Sequence, residues 1–186
     1  MRNYYYNTMR KITFILLMFL TLSLNAQVKF LGIPVDGPKS EMIPKLTQKG
    51  YIYNIYRDYL MGEFNGSEVK IKVVEYNGKV GRIIVEDSAP SNEIDIIIRY
   101  NNLIDQFERN GKYIGENEKI NNKVSINSEM YKNHKRFEAV YYQKDEDDIV
   151  QKMGKVWFKI NKAENAKFTI MLYYDNVSNM PNGEDL

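Results

Sequence analysis

The stretch Asn65-Gly66-Ser67-Glu68-Val69-Lys70-Ile71-Lys72-Val73-Val74-Glu75-Tyr76-Asn77-Gly78-Lys79-Val80-Gly81-Arg82-Ile83-Ile84-Val85-Glu86 decides the fold. Val69, Ile71 and Val73 alternate with Lys70 and Lys72, the period-two pattern of a strand with one wet face. Asn-Gly occurs at both ends of this run. Each pair is a type I′ hairpin signal, because both central residues of that turn need positive φ. Beyond the second turn Ile83 and Val85 alternate with Arg82 and Glu86. The reading is an antiparallel meander, apolar on one side and charged on the other.

Upstream, Tyr51 to Tyr59 is aromatic-rich and Leu60 to Phe64 continues it, so both read as strand. Ser40 to Lys49 reads as a helix, with Met42, Ile43 and Leu46 on one side and Gly50 as its stop. Pro44 conflicts with that helix, since an interior proline removes a hydrogen bond and clashes one turn back. Either the helix starts near Ile43 or its first turn is distorted. Val28 to Ile33 is a short strand, and Pro34 to Pro38 is a turn cluster.

Downstream, Asp87 to Ser91 is a loop with Ser91 as the expected N-cap, and Glu93 and Asp95 favour the positive end of a helix. Ile94, Ile97, Ile98, Tyr100, Leu103, Ile104 and Phe107 form its expected apolar face, and Asn110-Gly111 ends it. Lys112 to Ser128 is polar and irregular, with at most one short strand. Three strands follow, over Phe137 to Gln143, Val150 to Ile160 and Lys167 to Tyr174. The acidic loop Asp145 to Asp148 and the loop Asn161 to Asn165 separate them. Asn176 to Leu186 reads as a frayed tail.

The order helix, strands, helix, strands predicts an α+β fold: antiparallel sheet from two helix-plus-meander units, with the helices on one sheet face. The echo of Lys49-Gly50-Tyr51-Ile52 in Gly111-Lys112-Tyr113-Ile114 supports two copies. The units span residues 27–90 and 91–176, with a tail at 177–186. Residues 1–26 read as a signal peptide: Arg10 and Lys11, then the apolar run Ile12 to Leu24, then Asn25-Ala26 at the cut. Met9 is an alternative start. The run is too short to span a bilayer, so no stable membrane insertion is expected after leader removal. The expected location is periplasmic or secreted.

Composition excludes several functions. The chain has 186 residues and no cysteine, which removes disulfides, thiol catalysis and thiolate metal sites. Residues 1–26 carry Arg2, Arg10 and Lys11 and no acid, so a full-chain formal charge of +2 becomes 23 basic against 24 acidic residues, or −1. No global basic field argues for nucleic acid. His134 is the only histidine and lies among Lys132, Lys135 and Arg136, with no Gly-x-Ser-x-Gly nucleophile pattern anywhere. Asp145-Glu146-Asp147-Asp148 lacks EF-hand spacing and reads as a solvated hairpin loop. No cofactor, metal site or catalytic residue is expected.

Lys29-Phe30-Leu31-Gly32-Ile33-Pro34-Val35-Asp36-Gly37 and Leu60-Met61-Gly62-Glu63-Phe64-Asn65-Gly66 resemble segments of uncharacterised secreted proteins of AT-rich Gram-negative gut bacteria. The resemblance covers residues 1–145 and is most distinctive over the first 85. Pro44 departs from the continuous helix it implies. By topology alone, the tandem order resembles the beta-lactamase-inhibitor-protein-like fold, shared with small outer-membrane assembly lipoproteins. That resemblance implies binding by a sheet face and transfers no residue. Asp87-Ser88-Ala89 resembles a three-residue O-glycosylation acceptor of such bacteria, which makes Ser88 a candidate modification site.

Strand phase yields the candidate binding residues. Val156, Phe158 and Ile160 point one way, and Lys155, Trp157 and Lys159 the other. Phe168, Ile170 and Leu172 join the first set, and Thr169, Met171 and Tyr173 the second. If Phe137, Ala139 and Tyr141 point inward, Glu138, Val140 and Tyr142 join the open face. The expected ligand-binding set is therefore Trp157, Tyr173 and Tyr142, with Lys155 and Lys159 fixing orientation. The expected partner is a protein, peptide or envelope glycan. Two alternatives stand beside this: a carboxylate-dependent hydrolase of envelope or dietary polymers, and a structural envelope protein that self-associates through the face.

Overall fold

The computed structural model describes residues 28–144 and 150–181, the side chains of 150–153 excepted. The signal-peptide expectation and the acidic loop Asp145 to Asp148 lie outside the described residues. Eight antiparallel strands form one sheet in the order β3-β4-β5-β6-β10-β9-β8-β7. The first four are β3 (Ile52–Asn54), β4 (Tyr59–Phe64), β5 (Ser67–Tyr76) and β6 (Lys79–Asp87). The others are β7 (Tyr113–Ile114), β8 (Glu138–Lys144), β9 (Val150–Lys162) and β10 (Phe168–Asn176). The two helix-plus-meander halves thus share a single sheet. Their seam is the β6–β10 pairing, which runs from Arg82 opposite Asp175 to Glu86 opposite Met171.

Among the described residues, three helices pack on one face of that sheet: α1 (Lys39–Gln48), α2 (Glu93–Arg109) and α3 (Ile126–Lys132). No described helix is long and apolar enough to cross a membrane. Val69, Ile71 and Val73 of β5, Val156, Phe158 and Ile160 of β9, and Phe168, Ile170 and Leu172 of β10 all lie in the core beneath the helices. Their alternating neighbours form the opposite, open face. Both Asn-Gly turns have the expected positive φ: 51° and 73° at Asn65-Gly66, 49° and 78° at Asn77-Gly78.

Several sequence expectations needed correction. Val28 to Ile33 is not one strand. β1 (Lys29–Phe30) and β2 (Ile33–Pro34) form a tight hairpin of their own, turned at Leu31 and Gly32 with positive φ. Tyr51 to Phe64 is a hairpin, not one continuous strand. Asn54 Oδ1 accepts from the backbone N–H groups of Tyr56 and Arg57, and this side-chain turn ends β3. The helix α1 starts at Lys39 and carries Pro44 inside it.

The N-cap of α2 is Asn92, whose side chain accepts from Asp95 N–H at 2.9 Å. Ser91 instead pairs its backbone with Phe168. The buried face of α2 is Ile96, Ile97, Tyr100, Leu103, Ile104 and Phe107, while Ile94 and Ile98 are 69% and 53% exposed. At 3.6 residues per turn, Ile94 and Ile98 lie roughly 120–160° from the centre of that stripe. The cluster of isoleucines over 94–98 had hidden the phase. Burying such side chains contributes about 1.5–3 kcal/mol each.

The polar stretch after α2 holds a helix the pattern did not reveal, α3, capped by Ser125 and burying only Ile126. Asn176 to Asn179 are ordered, not the frayed tail expected there, and residues 182–186 lie outside the described residues. Asn176 is buried and donates to the Val35 carbonyl at 2.9 Å, and Val177–Asn179 form a 3-10 turn. Asn179 then donates to Asp36 and to the Val80 carbonyl, which ties this turn to the first half.

Candidate functional site

On the open face, β9 and β10 place Trp157 directly opposite Tyr173, and β8 adds Val140 beside Trp157. The two rings stack with centroids 4.1 Å apart and planes 9° apart. A parallel pair of this kind contributes about 0.5–1.5 kcal/mol beyond its area. The next row along the strands runs Val74, Arg82, Asp175, Lys155, Tyr142, Ile114 across six strands. Asp175 is buried and sits between two cations in that row.

Arg82 donates to Asp175 from Nε at 2.6 Å and from Nη2 at 2.8 Å, a forked pair. Trp157 Nε1 donates to the same carboxylate at 2.8 Å. The indole is thereby locked in one rotamer. The Asp175 hydrogen bonds hold the Arg82 guanidinium above its usual range, against the opposing effect of burial. Burial raises the Tyr173 hydroxyl, with nearby Arg82 pulling the other way.

Cations surround the stack. Arg82 lies 5.1 Å from the Tyr173 ring centre, Lys155 5.0 Å from that of Trp157, and Lys159 about 6 Å from both. Each such contact contributes about 0.5–1 kcal/mol when exposed and more when desolvated.

All five sequence-derived candidates stand on this one face, but they are not equally accessible. Tyr142 is 36% exposed; Trp157, Lys155 and Lys159 are half-buried; Tyr173 is 6% exposed. Tyr173 therefore supports the Trp157 ring from within the sheet surface and offers little contact area itself. Arg82 and Asp175 were missed as site residues. The signal for Asp175 was the outward series Thr169, Met171, Tyr173, which continues one step past the expected strand end at Tyr174.

At the far end of the same face lies an open hollow of about 460 Å³, lined in part by Lys70, Ser88 and Thr169. Ser88 Oγ is buried there, so a glycan on it would require that hydroxyl to turn outward. His134 is exposed at a positive-φ position and lines neither feature. Comparison with family models, curated proteins and solved structures finds no match for this chain.

Proposed function

We propose that this chain is a periplasmic or secreted non-catalytic binding module that recognises an envelope glycan, peptide or protein through its open sheet face. The observation that carries this reading is the Trp157–Tyr173 stack, fixed by Asp175 and ringed by Arg82, Lys155 and Lys159. A pre-set aromatic with cations at its rim loses little entropy on binding. The helices lie on the other face of the sheet, which leaves this one uncovered among the described residues.

The alternative reading, a carboxylate-dependent hydrolase, has Glu86 and Glu164 on the hollow in its favour. A general acid working near neutral pH needs a desolvated carboxyl. Glu164 is exposed to solvent, so that carboxyl is not desolvated. The binding reading is therefore preferred.

The lone tryptophan supplies the test. Trp157 emission is followed while the protein is titrated with chito-oligosaccharide, with an acidic peptide and with a neutral peptide. At least one probe should shift the emission saturably. Lys155→Glu combined with Lys159→Glu should weaken that response by about tenfold or more, some 1.4 kcal/mol, with circular dichroism unchanged. Binding that ignores the double reversal would remove the face from consideration.

A further inference from the structure

The seam between the two halves opens at one end. After Glu86 opposite Met171, β6 and β10 next meet through the backbone pair Ser91–Phe168, at 2.8 and 2.9 Å. Between those points one chain passes Asp87, Ser88, Ala89 and Pro90, while the other passes only Ile170 and Thr169. The four-against-two mismatch forces the strands apart. Asp87 fills the missing rung: its carboxylate accepts from Ile170 N–H at 3.2 Å and from Arg99 at 2.5 and 2.7 Å. Ser88 N–H stays with β5, donating to the Glu68 carbonyl at 2.8 Å. The β9–β10 hairpin, turned by Asn165 and Ala166 with φ of 57° and 54°, borders the gap. The hollow is the result.

Two hydroxyls there have no hydrogen-bond partner among the described residues: Ser88 Oγ and Thr169 Oγ1. Thr169 is only 5% exposed. A buried hydroxyl left unpaired costs about 1–3 kcal/mol, so two beside one hollow is an expensive arrangement unless something bonds them. Asn161 and Asn165 add amides, which donate and accept.

The charges balance: Lys70, Lys162 and Lys167 against Glu86, Glu164 and Asp87. Asp87 is already committed to Arg99, and the Lys162 ammonium sits 5.1 Å over the Tyr131 ring. An anion would meet Glu86 and Glu164, and a cation would meet Lys70 and Lys167. A neutral ligand with many hydroxyls meets a partner at every point. The volume lies within the range of small-ligand sites.

We propose that this hollow is a saccharide subsite of the open face, holding one neutral sugar ring against the two asparagines and against the Ser88 and Thr169 hydroxyls, which turn toward the hollow as the ring binds. It rests on the reading of that face as a binding surface and names the ligand class. Lys159, opposite Met171, stands between the hollow and the Trp157 stack, so one glycan chain can run across both.

The test is an amide-shift titration of the full chain by NMR. The probes are N-acetylglucosamine, glucose, galactose and mannose up to about 50 mM, a range suited to millimolar affinity. Inorganic phosphate and glycine run in parallel. At least one sugar should saturably shift the amides of Ser88, Thr169, Asn161 and Asn165. Thr169→Val and Ser88→Ala remove unpartnered hydroxyls, so both variants should fold as stably as the parent. Each should weaken sugar binding by about fivefold, the worth of one hydrogen bond.

The proposal is overturned if no sugar shifts those amides, if only phosphate or glycine does, or if both variants bind sugar as before. Trp157 emission, read in the same titrations, separates the two readings. Hollow shifts without an emission change keep the subsite and remove the stack from it. An emission response that neither variant alters removes the subsite and leaves the binding face.

Discussion

Asp175 accepts from Arg82 twice and from Trp157 once, all on a side chain that is nearly inaccessible to water. A carboxylate so placed is stable only because its partners match it in charge and geometry. Removing it by Asp175→Ala strands a half-buried guanidinium and an indole N–H without an acceptor. Loss of one side of such a pair is strongly destabilising, and about 3 kcal/mol is expected, less than for a fully enclosed pair because Arg82 retains some solvent contact. Asp175→Asn keeps an acceptor for Trp157 and should lose about half as much. Urea unfolding of the two variants measures both values. The same variants should free the Trp157 ring and red-shift its emission. An alanine variant as stable as the parent would mean that this trio is a surface decoration and that Trp157 is not pre-set for binding.

At the scale of the element, α1 shows a local conflict that the fold overrides. Pro44 sits in its second turn, where it has no N–H to give the Ser40 carbonyl, yet the helix runs from Lys39 through Gln48. Met42 and Leu46, buried in the core, hold it there. Pro44 itself is exposed, so Pro44→Ala costs no packing. That change should restore the missing bond and stabilise the protein by about 1–3 kcal/mol, read as a higher midpoint in thermal unfolding. An unchanged midpoint would place the proline's compensation in the unfolded state.

The same contrast explains what the sequence made legible. Strands β5, β6, β9 and β10 carry strict alternation over most of their length, so their phase, and with it the shared face of Trp157, Tyr173, Lys155 and Lys159, could be read directly. The turn between β3 and β4 was not legible, because Asn54 builds it with a side chain and Ile55, Tyr56 and Arg57 look like strand. The helix α3 buries a single residue and so has no periodicity to detect. Arg82 and Asp175 are 93 residues apart, and their union depends on which strands become neighbours. The hollow likewise arises from a mismatch between two segments and belongs to neither alone.

Across the whole molecule, the single sheet buries tyrosine hydroxyls in both halves. Among the described residues, burial is the main cause that raises six tyrosine hydroxyls above the usual value: Tyr51, Tyr100, Tyr113, Tyr141, Tyr173 and Tyr174. They span both halves, from the end of α1 to the seam strand β10. The sign of the linkage follows from the proton count. Below about pH 10 folded and unfolded chains both keep these protons, and the tyrosines contribute no pH dependence. Above that, the unfolded chain releases them while the folded chain holds them, so it binds fewer protons and stability falls as pH rises. Each fully protected tyrosine contributes a slope of about 1.4 kcal/mol per pH unit, and several acting together exceed the roughly 5–15 kcal/mol of a typical domain within a unit or two. Unfolding should therefore be cooperative and alkaline. Urea midpoints should hold steady to about pH 10 and drop steeply beyond it. Tyrosinate absorbance should rise in two stages: a gradual titration of the exposed rings, then a step coincident with the loss of circular dichroism. A single smooth titration of all tyrosines with the fold intact would show that the core admits phenolate, and that burial here does not exclude charge.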